Sequence, residues 1–261
     1  MTTSLITGAS SGIGEAFARR LAGAGRDLFL VARSEDKLRS LCKELAEEHG
    51  IRADHAAIDL SSEGSDQKLF ETTESRGLEV DLLINNAGFG SMGDFAELDL
   101  ARELEMIRLN ITALVALSHR YLAGMRMRRS GAVINVSSAA GFQPVPFMAT
   151  YAATKAFVTS FSEAIAEENR PFGIQVLALC PGSTSTNFFE ASNIDRALKI
   201  KGQQTADQVV DTALAALNGR RVKVVSGWTN YLVASATNLI PNSFITRVVG
   251  RGLRSRYQKE L

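Results

Sequence analysis

The sequence predicts an α/β fold, a doubly wound parallel sheet of about seven strands with helices on both faces. Three observations indicate it: short apolar runs alternate with longer amphipathic segments, the runs are apolar on both faces, and no linker, repeat or low-complexity tract interrupts the alternation. The chain has 261 residues, 45% of them hydrophobic, so it can bury a large core. We therefore expect one domain over 1–261, with a C-terminal extension at about 227–261.

The elements follow from the periodicity of apolar residues. Seven short apolar runs predict strands at 4–7, 27–32, 56–59, 80–84, 132–136, 174–179 and 222–225. Apolar residues spaced three and four apart predict helices at 12–24, 35–49, 65–76, 100–129, 151–170 and 205–218. The longest unpatterned segment, 181–203, is expected to be a functional loop, because long structureless loops are uncommon in compact domains.

Charge and composition exclude several classes of function. The chain has 29 Lys and Arg against 28 Asp and Glu, so its net charge of +1 gives no field that would attract nucleic acid. Cys42 and Cys180 are too far apart for a disulfide framework, and the three histidines lack metal-ligand spacing, so we expect no metal. Neither a secretory leader nor an apolar run of about 18 residues is found, which predicts a cytoplasmic protein.

A glycine-rich stretch, G-A-S-S-G-I-G, joins the first strand to the first helix. Gly8 permits a tight turn, Gly12 leaves room for a pyrophosphate, and Gly14 lets the helix pack close to the sheet. The N-terminus of that helix supplies free amides and a partial positive charge. Such glycines often form only a tight turn, but their place between strand and helix predicts a dinucleotide site. The predicted site also includes Ser10, Ser11 and Ile13.

The second strand ends in V-A-R-S, where the ribose of a nucleotide should lie. An acidic residue here would bind the ribose hydroxyls, whereas an arginine can pair with a 2′-phosphate. Arg33 therefore favours NADP(H), with NAD(H) as the alternative cofactor. The competing interpretation is a solvated arginine that opens a helix beside Glu35 and Asp36.

The stretch Y-A-A-T-K places Tyr151 and Lys155 one helical turn apart, on a shared face, thirteen residues after Ser138. A tyrosine titrates near 10, and acid–base work near pH 7 requires a shift of about three units, or about 4 kcal/mol. An ammonium about 4 Å away supplies about 4 kcal/mol at an effective dielectric of 20. We therefore expect Lys155 to lower the pKa of Tyr151. The alternative is an ordinary surface pair.

Five motifs in order now mark a family resemblance. They are G-A-S-S-G-I-G, N-N-A-G at 85–88, Ser138, Y-A-A-T-K, and P-G-S-T-S-T at 181–186. Over roughly residues 3–225 the chain resembles the single-domain short-chain dehydrogenase/reductases. The resemblance implies a Rossmann-type fold and hydride transfer between a nicotinamide and a carbonyl compound or alcohol.

The resemblance also implies catalytic roles. Tyr151 would exchange a proton with the carbonyl oxygen, Ser138 would hold that oxygen, and Lys155 would tune the tyrosine and hold the nicotinamide ribose. Ser137 is the alternative candidate for the serine that holds the carbonyl oxygen, but the family's spacing between serine and tyrosine favours Ser138. Asn110 matches an asparagine that anchors a water leading to the lysine, whereas the residues alone favour a helix asparagine bonded to backbone.

Three groups of cofactor contacts follow from the same resemblance: residues that flank the adenine, residues that wall its ribose, and residues that orient the nicotinamide carboxamide. In that order these are Asp59 and Leu60; Asn86, Ala87 and Gly88; and Pro181, Thr184 and Thr186.

The substrate side is predicted to be apolar. Phe142, Phe147 and Phe188 are the principal lining candidates beside Ser138, which suggests an apolar ketone, aldehyde or secondary alcohol such as a 3-oxoacyl or steroid-like compound. We therefore predict an NADP(H)-dependent carbonyl reductase or alcohol dehydrogenase. A non-catalytic NADPH-binding regulatory or scaffold protein is the alternative.

Two expectations concern assembly. Relatives that pair their two long helices form homo-oligomers, so the helices at 100–129 and 151–170 predict a dimer or tetramer. The last twenty residues contain five basic residues and one acidic residue among apolar ones. They could lie on a membrane surface or gate the pocket, but Gly250 and Gly252 weaken a helix there, and docking onto the domain or a sister subunit is preferred.

Overall fold

A computed structural model describes residues 2–185, 203–237 and 240–257 of the chain. Its sheet has seven parallel strands in the order β3-β2-β1-β4-β5-β6-β7. The strands are β1 Thr2–Thr7, β2 Asp27–Ala32, β3 Ala53–Ala57, β4 Glu79–Asn85, β5 Ala132–Val136, β6 Gln175–Cys180 and β7 Lys223–Val225. The strand order reverses between β1 and β4, which is the point where an open α/β sheet forms a ligand crevice.

Helices cover both faces of the sheet. They are α1 Gly12–Gly23, α2 Glu35–His49, α3 Ser65–Ser75, α4 Leu100–Ile107, α5 Leu114–Arg128, α6 Ala149–Asn169, α7 Ala206–Asn218, α8 Trp228–Thr237 and α9 Asn242–Tyr257. One apolar core lies between the sheet and α1, α2 and α7. A second lies between the opposite face and α3, α5 and α6. The predicted fold class is therefore confirmed.

Several boundaries differ from the prediction by one to three residues, and one predicted helix is interrupted. The third strand begins three residues early, at Ala53, and includes the polar Asp54 and His55, because β3 is an edge strand that needs no apolar residues on both faces. The helix predicted at 100–129 is interrupted by a π-helical turn at Arg108–Ala113. Such turns often occur at functional sites, and this one contains Asn110.

The C-terminal residues form a helix despite their glycines. The helix α9 runs through both Gly250 and Gly252, so neither glycine interrupts it. Packing explains the outcome, since Gly250 is buried and a Cβ there would lie 3.6 Å from Pro146. Ile245 is buried on the same side. No helix in the described part of the chain is both long and apolar enough to cross a membrane.

Candidate active site

A cleft of about 540 Å³ opens at the carboxyl ends of the parallel strands. The loops that follow β1 to β6 all contribute to its lining. Of the residues predicted to form the site, the cleft contains Gly8, Ser10, Ser11, Gly12, Ile13, Arg33, Asp59, Leu60, Asn86, Ala87, Gly88, Ser138, Tyr151, Lys155, Pro181 and Thr184. The fold thus brings together residues separated by more than 170 positions in sequence.

One end of the cleft is the loop between β1 and α1. Gly8 has a φ of +66°, which favours glycine, and a Cβ there would lie 2.8 Å from the side-chain nitrogen of Asn86. Gly14 lies beneath the loop and does not line the cleft; a Cβ there would lie 2.3 Å from the Gly8 carbonyl oxygen. Both glycines therefore permit close approach of backbone, as the spacing predicted.

Asn86 joins this loop to the end of β4. Its Nδ2 donates to the carbonyl oxygens of Thr7 at 2.9 Å and Gly8 at 3.2 Å. The Thr7 hydroxyl oxygen accepts hydrogen bonds from the backbone of Asn86 and Ala87, each at 3.0 Å. The asparagine therefore shapes the loop, in addition to the ribose contact that the resemblance implies.

The donors at this end fit an anionic dinucleotide. Helix α1 begins at Gly12, its first residues Gly12 and Ile13 line the cleft, and Ser11 at its N-cap makes no side-chain capping bond. Amides at the N-terminus of a twelve-residue helix bind phosphate oxygens well.

Arg33 occupies the end of β2 and lines the cleft with an exposed side chain. Its Nη1 lies 3.9 Å from Glu105 Oε1 on α4, and Glu105 also pairs with Arg102 at 2.9 Å. Burial opposes ionisation of Asp59, but two hydrogen bonds from Ser61 and the fields of both arginines lower its pKa below the ordinary value. The predicted adenosine end of the cleft therefore has two cationic side chains and two carboxylates beside it. These are Arg33, Arg102, Asp59 and Glu105.

Adjacent serines at the end of β5 have different partners. The Ser137 hydroxyl donates to the Lys155 carbonyl oxygen at 2.7 Å and lies 2.7 Å from the Thr159 hydroxyl. Ser138 instead hydrogen-bonds to Tyr151 and accepts from the Ala140 amide at 3.1 Å. Ser137 is thus occupied by structural bonds, whereas the Ser138 hydroxyl lies beside the tyrosine.

A tight turn after Ser138 packs against helix α6. Gly141 approaches α6 so closely that a Cβ would lie 2.7 Å from the carbonyl carbon of Lys155. Tyr151 lies in the first turn of α6 and Lys155 in the second. Close packing of this turn therefore places the serine beside the tyrosine, a contact between residues on different elements.

The expected lowering of the tyrosine pKa is not observed. Burial raises the pKa of Tyr151 to about 12, and the bond with Ser138 opposes this rise only in part. Burial also lowers the pKa of Lys155 to about 8. The lysine ammonium lies 5.8 Å from the centre of the tyrosine ring and donates to the Val136 carbonyl oxygen at 2.9 Å. Desolvation therefore outweighs the attraction that the spacing predicted.

Asn110 lies behind the cleft and is almost fully buried. Its Oδ1 accepts from the Phe89 amide at 3.2 Å, and its Nδ2 donates to the Phe89 carbonyl oxygen at 3.0 Å and to the Thr154 hydroxyl at 3.2 Å. These contacts match the backbone-bonded asparagine that the residues alone favoured. The water-anchoring role implied by the resemblance stays a prediction.

The predicted substrate residues are only partly brought to the cleft. Phe142 does not line it; its ring lies 5.7 Å from the Lys223 ammonium on β7. Phe147 does not line it either, and its carbonyl oxygen accepts from the Gly93 amide at 2.9 Å. Two further predicted residues, Thr186 and Phe188, lie outside the described residues.

Asn230 and Arg102 are among the residues lining the cleft that sequence reasoning missed. Asn230 on α8 packs against Gly182, where a Cβ would lie 2.0 Å from the asparagine nitrogen, and donates to the Ser226 carbonyl oxygen at 2.8 Å. Arg102 on α4 lies 3.8 Å from the centre of the Phe89 ring. Neither belongs to a motif, so only the tertiary structure reveals them.

A family model described as short chain dehydrogenase matches residues 2–197 of this chain. The chain belongs to the short-chain dehydrogenase family. A very-long-chain 3-oxoacyl-CoA reductase of Rattus norvegicus is 29% identical to it over 264 residues, 98% of this chain and 82% of the relative.

Solved structures agree with this assignment to the short-chain dehydrogenases. A short-chain dehydrogenase from Sphingobium yanoikuyae in complex with NADPH is 31% identical, with a TM-score of 0.84 over 100% of this chain and 98% of its own. The bulky-bulky ketone specific alcohol dehydrogenase from Comamonas testosteroni is 29% identical, with a TM-score of 0.77 over 100% and 96%. This short-chain dehydrogenase is therefore an oxidoreductase that acts on CH–OH or C=O groups with a nicotinamide cofactor.

Proposed function

We propose that the chain is an NADPH-preferring reductase of apolar carbonyl compounds. One observation carries the proposal: Ser138, Tyr151 and Lys155 line the same cleft as the N-terminus of α1. A polar triad and a phosphate-binding element in one crevice fit a reaction in which a dinucleotide and a carbonyl compound meet.

The roles of the three polar residues follow from their positions. The Ser138 and Tyr151 hydroxyls are mutual neighbours, so a carbonyl oxygen placed between them receives two hydrogen bonds. The neutral tyrosine holds the proton that this oxygen requires on reduction. Lys155 supplies a cation beneath the tyrosine ring, and NADPH, when bound, supplies the hydride.

The NADPH preference rests on Arg33 and its neighbours. Arg33 is exposed at the end of β2, where a 2′-phosphate would lie, and its ion pair with Glu105 is long, at 3.9 Å. A phosphate would offer this guanidinium a stronger partner than a carboxylate oxygen 3.9 Å away. NADH remains the alternative cofactor, and Arg102 is a second cation close enough to favour the phosphate.

An apolar substrate is supported by the tyrosine's surroundings and by the names of relatives. Apolar side chains lie beside Tyr151: Phe89, Met106, Leu109, Ala140 and Met148. One relative is named as a 3-oxoacyl-CoA reductase and a structural neighbour as specific for bulky ketones. We therefore favour a fatty 3-oxoacyl compound or another bulky ketone.

The test is NADPH oxidation by the purified chain against aldehydes, steroid ketones and 3-oxoacyl thioesters of increasing length. Rates should rise with apolar chain length and vanish in Tyr151→Phe. Equal rates in the wild type and the variant would refute the proposal. Tight NADPH binding without turnover of any carbonyl would favour the alternative, a non-catalytic NADPH-binding regulator.

We also propose a homo-oligomer located in the cytoplasm. Helix α4 carries exposed apolar side chains on one face, and α6 carries another. These are Leu100, Leu104 and Ile107 on α4 and Phe157 on α6. Such faces are suited to pairing between copies of the chain. Sedimentation velocity of the wild type and of Leu104→Glu tests this, because a dimer should dissociate in the variant.

A further inference from the structure

Helix α9 carries two chemically distinct faces. The face towards the domain contains Ile245 and Gly250, both buried, and Gly250 contacts Pro146 in the loop that precedes the catalytic helix α6. The opposite face is exposed and contains Phe244 and Val248 at a spacing of four. The sequence favoured docking of this segment onto the domain. Such docking explains the burial of the inner face of α9, but it does not explain the apolar residues on its outer face.

Arginines border the exposed apolar residues of α9. Arg247, Arg251 and Arg254 are all exposed, and their spacing of four and three places them along one side of the helix, next to Phe244 and Val248. A helix whose outer face combines aromatic and aliphatic side chains with arginines has the composition of helices that lie in a lipid interface.

Helix α8 also exposes apolar side chains. Trp228, Tyr231 and Leu232 share one face of α8, and their exposed fractions are 75%, 58% and 53%. Asn230 of the same helix lines the cleft. Exposed tryptophan and tyrosine are enriched where proteins meet the lipid headgroups. Helix α8 thus contributes a residue to the cleft, helix α9 packs against the loop that precedes α6, and both helices expose apolar side chains.

The charge of this region is one-sided. Residues 228–257 contain four arginines and no acidic residue, whereas the rest of the chain contains 25 basic and 28 acidic residues. If this region instead contacted a sister subunit, the contacted surface would be expected to carry both acidic and basic residues, because the chain contains nearly equal numbers of each. A surface of anionic lipid headgroups offers only the complementary sign.

We propose that the exposed faces of α8 and α9 dock on an anionic lipid surface. The docked surface is defined by Trp228, Tyr231, Leu232, Phe244, Val248, Arg247, Arg251 and Arg254. Docking there places the cleft beside the lipid, from which an apolar carbonyl compound can enter without crossing water. The inference concerns this surface alone and holds whether or not the proposed substrate class is correct.

The experiment is co-sedimentation of the full chain with vesicles of phosphatidylcholine alone or with 30% phosphatidylserine. We expect binding only with phosphatidylserine, weakened by salt. Each basic residue near an anionic surface contributes about fivefold to partitioning. The combined variant R247A, R251A and R254A should therefore bind roughly a hundredfold more weakly. The pair Phe244→Ser and Val248→Ser should also lose binding while keeping its far-ultraviolet circular dichroism.

The matched control removes three other exposed charges. Lys43→Ala, Arg52→Ala and Arg170→Ala together lower the net charge equally, and their side chains are exposed by 67% or more. This control should bind vesicles nearly as the wild type does. Absent binding by the wild type, or an equal loss in the control, overturns the proposal. So does dissociation of a dimer by the Phe244 and Val248 substitutions without vesicle binding, which would assign the surface to a sister subunit.

An assay of NADPH oxidation with a soluble ketone distinguishes failure of the proposed docking surface from failure of the proposed reductase function. The arginine variant should retain the wild-type rate in the absence of lipid. Failure of vesicle binding with normal turnover rejects the docking surface alone, and absent turnover with normal vesicle binding rejects the proposed function alone.

Discussion

Asn110 binds both backbone polar groups of Phe89, accepting from its amide at 3.2 Å and donating to its carbonyl oxygen at 3.0 Å. The bond pair fixes the loop after β4 to the π-helical turn that joins α4 to α5. Gly88 completes the contact, since a Cβ there would lie 2.8 Å from Asn110 Oδ1. The π-helical turn therefore positions one wall of the cleft.

Replacing Asn110 tests whether its role is structural. Asn110→Ala leaves two buried backbone groups of Phe89 without partners, so the free energy of unfolding should fall by about 2–4 kcal/mol. Urea unfolding measures this loss. Unchanged stability with a large fall in kcat would instead support the water-anchoring role that the family resemblance implies.

Tyr151→Phe should lower kcat by about 100- to 10,000-fold, because the variant cannot protonate the carbonyl oxygen. NADPH affinity, measured by fluorescence titration, should change little. Tyr121→Phe is the matched control: Tyr121 is also buried, and its hydroxyl lies 2.9 Å from Thr73, far from the cleft. The control should lose about 1 kcal/mol of stability and keep its kcat. Equal effects of the two substitutions on kcat would contradict the assignment.

Substitutions of the two adjacent serines should have different effects: loss of the Ser138 hydroxyl should lower activity, and loss of the Ser137 hydroxyl should lower stability. Ser138→Ala should lower kcat by roughly 100- to 1,000-fold, since it removes a donor to the carbonyl oxygen. Ser137→Ala should instead lower the free energy of unfolding by about 1–2 kcal/mol, because it removes the shorter of two hydroxyl bonds to the Lys155 carbonyl oxygen and the buried contact with the Thr159 hydroxyl. Steady-state kinetics and urea unfolding of both variants decide the point. The reverse pattern would make Ser137 the catalytic serine.

Arg33→Asp should reduce the ratio of kcat/KM with NADPH to that with NADH by about 10- to 100-fold. Arg39→Asp is the matched control, because the side chains of Arg33 and Arg39 are both 62% exposed. Glu105→Gln should raise the ratio, since it removes a negative charge 3.9 Å from Arg33 that competes with the phosphate. An unchanged ratio in Arg33→Asp would exclude this arginine as a 2′-phosphate ligand.

Lys155→Met should stabilise the protein near pH 7 while it abolishes turnover. Burial lowers the lysine pKa from 10.5 to about 8, so between those values the unfolded chain binds more protons than the folded one, and wild-type stability rises with pH. Below pH 8 the burial of the charge costs about 3 kcal/mol, and the bond to Val136 returns about 1 kcal/mol. The variant should therefore gain about 2 kcal/mol at pH 7 and lose this gain by about pH 10.5.

Urea unfolding at pH 7 and pH 10 measures the difference between variant and wild type. Lys43→Met is the control, because the Lys43 side chain is 76% exposed and the substitution removes the same charge. A destabilised Lys155→Met at pH 7 would mean that the bond to Val136 outweighs the burial of the ammonium.

The fold class and many of the residues that line the cleft are predictable from local patterns in the sequence. The alternation of apolar runs with amphipathic segments predicts the parallel sheet, because each strand is buried on both faces and each helix on one. Gly8 and Gly14 were identified for the same reason, since their backbone constraints are local. All of these signals lie within a few residues of one another.

The contacts among the cleft residues are not predictable from local patterns, because they join segments that are distant in sequence. The π-helical turn at Asn110, the contact of Ser138 with Tyr151 and the cleft position of Asn230 all depend on contacts between distant segments. The pKa values of Tyr151 and Lys155 are decided in the same way, because desolvation depends on everything packed around a group. Spacing along one helix predicts which charges are neighbours, whereas the burial of those charges is a property of the whole fold.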